Sequence, residues 1–418
     1  MNLRDKLERL DRSAVPPQRE DNTPEEKPQW IAEFEEELQA KIIQEGDSTI
    51  ILKENYYPAH RHHFFQYAAR NGFKLEHIGF LDGREKPLKR NLKECLFIDL
   101  ETTGLSGGAG TFAFLIGLGH VELDHIVVRQ YLIPDYQYEW LALKLIENNL
   151  REYPVLVSFN GKTFDIPLLR ARFVLNRKES PLESREHLDI LHMARRVWKR
   201  RLDSCELQSL EYHILGQKRV QDIPGAIVPQ LYFEYLRKRR VSLMEGVLEH
   251  NYHDIVNLVL LFIWLEQVAE EPLTTLNHPV DMFSVAKYFY QAKLYQKAEP
   301  VLEYLIHSVV PEAIRQESMF LLAMLYKKDG NPEKGANLMR QLLEKQQWHP
   351  AAIEELAKFY EHKEKDYEAA LDCVNQGLKH IEILEQLEKE HPLLKLKSSL
   401  KKRQKRLYGK SNGDDSTT

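Results

Sequence analysis

The chain has 418 residues, of which 43% are hydrophobic and 29% are charged, values typical of a globular protein with two or three domains. Its formal net charge of −5 excludes nucleic-acid binding through overall positive charge, so any such surface must be a local patch. The three cysteines are far apart, which argues against a disulfide framework and a cysteine zinc site. The first residues lack the apolar core of a signal peptide, and no apolar run is long enough to span a bilayer. We therefore expect a cytoplasmic protein without a membrane partner.

The first half of the chain changes character near residue 95. Residues 1–50 are acidic and interrupted by prolines, which predicts a partly flexible segment with one helix near Trp30 to Ile43. Residues 51–94 predict an N-terminal extension that packs on the domain after it. Residues 95–272 contain five strand-like and several helical segments. The strand segments are CLFIDL, FAFLIGLGHV, IVVRQYLI, PVLVSFNG and HLDILHM.

The order of these segments favours an α/β domain. Three strands are followed by helix, strand, helix, strand and further helices, which predicts a mixed five-stranded sheet flanked by helices. The ribonuclease-H-like fold has this order, although other α/β folds begin in the same way.

The region from residue 280 to residue 390 is helical and shows a recurring pattern. Alanines at 286, 323 and 357 are separated by 37 and 34 residues, near the 34-residue period of tetratricopeptide repeats. We expect an all-α domain of tetratricopeptide-like repeats, with a plain helical bundle as the alternative. Residues 391–418 form a basic tail, predicted to be disordered or to hold nucleic acid electrostatically.

The strand CLFIDLET carries two carboxylates, Asp99 and Glu101, two residues apart. Alternate residues of a strand point to the same face, so these side chains should project side by side. Adjacent carboxylates repel unless a positive group lies between them, and their hard oxygen ligands favour Mg²⁺ or Mn²⁺. The alternative is a solvated strand end in which one acid caps the following turn.

A third carboxylate, Asp165, follows the strand–turn segment VLVSFNGKTF. It falls in the first turn of a predicted helix, where an acid is favoured by the helix dipole alone. The functional interpretation makes Asp165 a further metal ligand above the sheet, with Asn160 positioning Asp165 or contacting the terminal nucleotide.

The segment LEHNYHDIVNL contains two histidines and an aspartate on a predicted helix. His250 and Asp254 are four residues apart and therefore adjacent on the helix surface. His253 points about 100° away from Asp254 on a helix of 3.6 residues per turn. The helix geometry therefore selects His250 as the partner of Asp254.

Together these motifs resemble the ordered signature of the DEDD 3′–5′ exonucleases. Asp99 and Glu101 match the first motif, Asn160, Phe164 and Asp165 match the second, and Asp254 matches the third. The resemblance implies a ribonuclease-H-like fold in which Asp99, Glu101, Asp165 and Asp254 hold two divalent metal ions. That family's general base is a His five residues before the last Asp or a Tyr four before it. Here His250 stands four before and Glu249 five before, so the chain matches neither subgroup.

A second likeness extends over most of the chain after residue 50. The segments FIDLETTGLSGGAGTF, SFNGKTFDIPLL, HLDILHMARRVWKRRLDSCELQSLE, DIPG and HNYHD, followed by the helical repeats, resemble the bacterial YprB family. This likeness implies a DNA-repair exonuclease associated with a superfamily-2 helicase of the mitomycin-repair type. A ribonuclease of the same chemistry, and an inactive nuclease fold serving as a scaffold, are the alternatives.

The expected substrate contacts lie beside the motifs and in a basic segment. RRVWKRR, residues 195–201, could line a phosphate path with Trp198 as a stacking surface, or could be a solvated helix face. The residues expected to contact substrate are Thr102, Gly104, Leu105, Asn160, Phe164, Arg195, Arg196 and Lys199.

Overall fold

The computed structural model of the chain confirms the predicted α/β domain followed by an all-helical region. It describes residues 28–58, 62–104, 110–122, 124–183, 185–219, 222–345, 348–386 and 393–411. Leu105, one of the expected substrate contacts, lies outside the described residues.

The main sheet has seven strands in the order β1-β2-β5-β4-β3-β6-β7. The strands are β1 Lys41–Glu45, β2 Ser48–Pro58, β3 Cys95–Thr102, β4 Ala113–Val121, β5 His125–Leu132, β6 Val155–Ser158 and β7 Glu186–Asp189. Strands β3, β4 and β5 form an antiparallel meander, whereas β6 and β7 add to β3 in parallel. The predicted five-stranded mixed sheet is therefore the core, and two further strands extend it. Strands Lys74–Leu75 and Arg90–Asn91 form a separate small ribbon.

The two extra strands come from the N-terminal region. The helix expected near Trp30 to Ile43 ends at Glu36, and residues 41–45 form β1 instead. Glu45 pairs directly with Ser48 across a two-residue turn in which Gly46 has φ of 58°. A two-residue turn with glycine at positive φ is a hairpin signal, and pairing with β2 overrides the helical pattern. Strand β2 then pairs antiparallel with β5 and joins the extension to the sheet.

Among the described residues, the helices of eight residues or more cover both faces of the sheet and then continue as the helical region. They are α1 Gln29–Glu36, α2 His63–Arg70, α3 Glu139–Glu152, α4 Asp165–Leu175, α5 Ile190–Trp198, α6 Val228–Lys238, α7 Ser242–Glu270, α8 Pro279–Gln291, α9 Tyr295–His307, α10 Glu312–Lys328, α11 Pro332–Lys345, α12 Pro350–Phe359, α13 Tyr367–Gln386 and α14 Leu394–Ser411. Shorter α-helical segments are Ile78–Leu81, Leu207–Leu210 and Pro272–Thr275. The 3-10 turns are Leu92–Glu94, Tyr136–Tyr138 and Gly225–Ile227, and the π turns are Glu211–Leu215 and Tyr360–Glu364.

Helix α7 is the central element of the fold, because it packs on β3, β4 and β5 at once. A Cβ atom on Gly119 of β4 would come within 2.4 Å of the Ile255 side chain, so the glycine permits close contact between helix and sheet. The rings of Phe97 and Phe262 meet edge to face at 5.4 Å. Among the described residues, α7 alone is long and apolar enough to cross a membrane, but 72% of its apolar window is buried within the protein.

The helical region places small residues at the helix contacts. The recurring alanines Ala286, Ala323 and Ala357 are fully buried. A Cβ atom on Gly335 would come within 2.6 Å of the Ala323 carbonyl oxygen, which shows how closely α10 and α11 approach. Small residues permit this spacing, but the assignment to the tetratricopeptide class stays a prediction.

The basic tail was expected to be disordered, but residues 394–411 form helix α14. Leu400 and Leu407, seven residues apart, are fully buried against the preceding helices. Glu361 accepts hydrogen bonds from Arg403, Arg406 and Lys410. Two leucines on one helix face and one buried counter-charge therefore order a segment whose composition suggested disorder.

We expect the lysine- and arginine-rich helix α14 to resist trypsin in the folded protein. The substitutions Leu400→Ala and Leu407→Ala each remove a buried side chain, which typically costs about 2–5 kcal/mol of local stability. In the double variant, limited trypsin digestion followed by mass spectrometry should show rapid cleavage within residues 394–411. Leu394→Ala is the control, because Leu394 is 67% exposed. Equal cleavage of the wild type and the double variant would contradict the packing of α14.

Candidate functional site

Strand β3 carries Asp99 and Glu101 on the face covered by α7. Burial, followed by the negative charges of Asp254 and Asp165, raises the pKa of Asp99 well above its usual range. Burial and the charge of Asp99, followed by those of Asp254 and Asp165, do the same to the pKa of Glu101. The strand register shifts between Glu101 and Thr102, so regular pairing with β4 ends at these carboxylates.

Asn251 of α7 holds Asp99 in place. Its Nδ2 donates a hydrogen bond of 2.8 Å to Oδ2 of Asp99, and its Oδ1 accepts one of 2.9 Å from the buried Gln130 of β5. Gly117 of β4 lies opposite Asp99, and a Cβ atom there would come within 2.3 Å of Oδ1 of Asn251. The glycine therefore leaves room for a hydrogen-bonded chain that fixes the Asp99 carboxylate.

Asp165 begins α4 after a turn that is fixed from β7. Burial raises the pKa of Asp165 to about 7, although backbone N–H donors at Asp165 and Leu100 oppose this shift. The buried carboxylate of Asp189 accepts hydrogen bonds from the backbone N–H groups of Asn160 at 2.8 Å and Lys162 at 3.0 Å. Asp189 also caps α5 through the N–H of Leu191. One buried acid thus connects the turn before Asp165 to the start of α5.

His250 and Asp254 share one face of α7, as the helix geometry predicts. Nε2 of His250 lies 3.6 Å from Oδ2 of Asp254. Nδ1 of His250 lies 2.9 Å from Oδ1 of Asp222, and since a carboxylate accepts, Nδ1 carries the hydrogen. Nε2 is therefore the nitrogen that faces the carboxylates. His253 has a side chain 41% exposed and lies 3.7 Å from Glu249, away from Asp254.

Arg219 supplies the positive charge beside this group. Its buried guanidinium donates to Asp254 and pairs with the buried Glu211 and with Asp222 at 2.9 Å. Nη1 of Arg219 also approaches Nδ1 of His250 to 3.3 Å, but both atoms are donors, so this contact is no hydrogen bond. Burial opposes ionisation of Asp222, but its hydrogen bond to His250 and the charges of His250 and Arg219 outweigh it and lower the pKa of Asp222.

These residues fit a divalent metal ion. The ligand atoms of Glu101, His250 and Asp254 lie within 4.8 Å of one another. The raised pKa values of Asp99, Glu101 and Asp165 show that their negative charges lack sufficient compensation from the protein. Arg219 engages one oxygen of Asp254 and leaves Oδ2 available. Carboxylate oxygens that lack a compensating positive charge form a suitable donor set for Mg²⁺ or Mn²⁺.

Comparison with known proteins agrees with this architecture. The RNase_H_2 model of the RNase H superfamily matches residues 96–266, which include all four carboxylates. Uncharacterized protein YprB of Bacillus subtilis strain 168 is 34% identical over 358 residues, covering 82% of this chain and 84% of that protein. The chain belongs to the YprB family. Its RNase H superfamily domain supports nuclease activity, nucleic-acid binding and the use of a divalent metal.

Several other residues expected to contact substrate lie in the turns next to the carboxylates in this YprB-family chain. Thr102 donates through Oγ1 to the Gly104 carbonyl at 2.8 Å, so both belong to the turn that follows β3. Phe164 is 44% exposed immediately before Asp165, and Asn160 has φ of 63° at the start of its turn. Thr102 directly follows Glu101 and Phe164 directly precedes Asp165 along the chain, and a contact of these residues with substrate stays a prediction.

The basic segment 195–201 has a role in packing. Trp198 is 1% exposed, so the expectation that it offers a stacking surface is wrong. Arg196 donates to the Leu81 carbonyl, and its guanidinium lies 4.8 Å from the centre of the Tyr288 ring of α8. Arg201 binds Asp281 of α8 at 2.7 Å. The segment therefore joins α5 to the helical region, whereas Arg195 and Lys199 remain exposed.

Four functional residues were missed by reasoning from the sequence. Asn251 stands three residues before Asp254, a helical spacing that signals a shared face. Asp222 belongs to the quoted DIPG segment but received no role. Arg219 and Gln130 carry no local pattern, and only the fold brings them to the site.

We expect the metal-free protein to show a pH-dependent instability centred on Asp165. A carboxyl group with a folded-state pKa near 7 and an unfolded pKa near 4 stabilises the fold fully below pH 4. That contribution is lost as the pH rises through 7. The gain in free energy of unfolding from Asp165→Asn, measured by urea denaturation in EDTA, should therefore increase between pH 5 and pH 7. Its slope should be at most about 1.4 kcal/mol per pH unit.

Added Mg²⁺ should reduce or reverse this difference, because metal binding stabilises the wild type more than the variant. A difference between the two proteins that is independent of pH would contradict a raised pKa at Asp165.

Proposed function

We propose that this protein is a divalent-metal-dependent 3′–5′ exonuclease that hydrolyses phosphodiester bonds, with DNA as the favoured substrate and DNA repair as its context. The observation that carries the proposal is that Glu101 and Asp254 share a potential metal-ligand group with His250, while Asp99 and Asp165 lie near enough to affect the pKa of Glu101. These residues match the three motifs of the DEDD exonucleases in order. The direction of hydrolysis and the preference for DNA rest on that resemblance.

His250 would act as the general base. In the neutral imidazole, the hydrogen bond from Nδ1 to Asp222 makes Nε2 the acceptor nitrogen, and Nε2 faces the carboxylates. An imidazole in this state can accept the proton of an attacking water at neutral pH. Asp222 would then stabilise the positively charged imidazolium through its negative charge.

The surrounding residues would keep the carboxylates apart and oriented. Asn251 restrains Asp99, the turn bound to Asp189 restrains Asp165, and Arg219 restrains Asp254. Asp99, Glu101, Asp165 and Asp254 would hold two ions of Mg²⁺ or Mn²⁺. When bound, the ions supply positive charge that promotes deprotonation of water and departure of the 3′ oxygen.

The helical region would bind a partner protein, such as the helicase that the YprB resemblance implies. The helical region comprises α8 to α14. It is attached to the nuclease domain through α8, which contacts α5 and pairs with Arg201.

The test of activity is degradation of end-labelled single-stranded DNA, nicked DNA and RNA with Mg²⁺ or Mn²⁺. We expect the wild type to shorten DNA from its 3′ end, and EDTA and Asp99→Ala to abolish the reaction. Shortening of RNA alone would identify a ribonuclease. Absence of metal-dependent degradation of every substrate would favour a scaffold function.

The test of the general base compares His250→Ala with His253→Ala, a control on the same helix. We expect His250→Ala to reduce the rate by about 10²–10⁴-fold, the usual contribution of a general base, while calorimetry shows that Mn²⁺ still binds. His253→Ala should change the rate little. Loss of Mn²⁺ affinity in His250→Ala would instead make His250 a metal ligand, and a larger effect of His253→Ala would contradict the assignment.

Asp222→Ala provides a further check, because Asp222 acts through His250. The variant should lose rate when His250 is present and cause no additional loss in the His250→Ala background. Independent, multiplicative losses would indicate a purely structural role for Asp222.

A further inference from the structure

Helix α14 presents two opposite faces. Leu400 and Leu407 are fully buried and Arg403 is 9% exposed, and these residues form the packed face. At about 100° per residue, the exposed lysines fall on the other side of the helix within an arc of roughly 120°. They are Lys395, Lys401, Lys402 and Lys405, which we call the lysine face.

The lysine face carries uncompensated charge. The other cations of α14 are engaged, since Lys397 pairs with Glu385 at 2.5 Å, and Arg403, Arg406 and Lys410 pair with Glu361. Within the described residues, no acidic side chain lies within ion-pair distance of the lysine face. The sequence of α14 itself contains no Asp or Glu. Because the whole chain has a net charge of −5, this concentration of positive charge is a local feature.

The packed face makes the lysine face a fixed surface. The two buried leucines and the Glu361 pairs anchor α14 on both sides of Lys401, Lys402 and Lys405. From Lys395 to Lys405 the face extends about 15 Å along the helix axis, a distance that several consecutive phosphates of a nucleic-acid strand can occupy. Tyr408, 47% exposed, lies at the edge of this face and can stack on a base.

Conversely, the basic segment of the nuclease domain offers less free charge than its sequence suggests. Arg196 contacts the Tyr288 ring, and Arg200 and Arg201 pair with Glu317 and Asp281, so these three cations hold the helical region to the domain. Phosphate binding by a chain of negative net charge needs cations that are not already paired. The lysine face meets this requirement.

We propose that the lysine face of α14 is a second nucleic-acid-binding surface, which holds the phosphate backbone of the substrate at a distance from the carboxylate site. This inference rests on the proposed nuclease function, because it assigns the helical region a contact with the same substrate. Four exposed lysines bind phosphates through charge, so the surface does not discriminate between base sequences.

The test measures binding by fluorescence anisotropy of the full chain in EDTA, which prevents metal-dependent degradation. The probes are labelled 30-nucleotide single-stranded DNA, duplex DNA and single-stranded RNA. We expect the variant with Lys395, Lys401, Lys402 and Lys405 all replaced by Gln to bind at least about 10-fold more weakly at low salt. The slope of log K against log salt should decrease in magnitude by up to about 3 for single strands. The probe that the wild type binds most tightly identifies the form of nucleic acid that this surface prefers.

The control carries the same change of net charge elsewhere. Lys74, Lys86, Lys89 and Lys293 are exposed, and replacing all four by Gln should leave binding within about 2-fold of the wild type. Equal weakening in both variants would overturn the proposal, since it would reflect overall charge alone. Unchanged nucleic-acid binding in the α14 variant would also overturn it. Binding to vesicles of phosphatidylserine and phosphatidylcholine is measured in parallel, and a variant that loses only vesicle binding would likewise overturn the proposal.

The outcome is independent of catalysis. If the wild type degrades no substrate but the α14 variant loses nucleic-acid binding, the proposed function fails and the binding surface stands. If the wild type degrades DNA and the α14 variant binds and degrades it equally well, the binding surface fails and the proposed function stands. The variant keeps the trypsin sites Lys397, Arg403, Arg406 and Lys410, and resistance to cleavage at these sites verifies that the fold of α14 is retained.

Discussion

The site depends on restraint of four partly buried carboxylates that repel one another near the end of β3. Burial raises the pKa values of Asp99, Glu101 and Asp165, and the charges of neighbouring carboxylates of the site raise those of Asp99 and Glu101 further. Such a cluster persists only if the surrounding elements hold its members against separation. The large buried area of α7 supplies that restraint, because its apolar side chains secure the helix that carries Asp254.

The positions of small residues follow from this requirement. Gly117 and Gly119 of β4 leave room for Asn251 and Ile255 of α7, so the helix lies close enough for Asn251 to bind Asp99. Gly161 has the same role in the turn before α4, where a Cβ atom would come within 2.2 Å of Oγ of Ser158. Close approach of the backbone at these positions brings carboxylates from separate elements into one site.

Positive charge is divided between structural and functional uses. Arg219 compensates acids at the site, while Arg196 and Arg201 join the nuclease domain to α8. Glu361 uses three cations of α14 to secure that helix. A run of basic residues in the sequence therefore does not show which cations are available to a ligand, because pairing removes some and leaves others exposed.

Local spacing in the sequence was sufficient to predict the order of the core strands, the helix α7 and the shared face of His250 and Asp254. These features depend on periodicities of two and 3.6 residues, which are properties of the backbone. The family resemblance then identified Asp165 with the same site. The hairpin β1–β2 was missed, since strand pairing overrode the local helical pattern. The helix α14 was also missed, since two buried leucines order a segment whose composition suggested disorder.

Only the tertiary structure decided that Asp222 binds His250, that Arg219 reaches Asp254 and that Gln130 supports Asn251. These partners are separated along the chain by 28, 35 and 121 residues, and no local pattern relates them. Their proximity arises from packing α7 against the sheet and placing the segment around Asp222 beside it. The sequence by itself determined which side chains could bind a metal, and the packing decided which neighbours orient them.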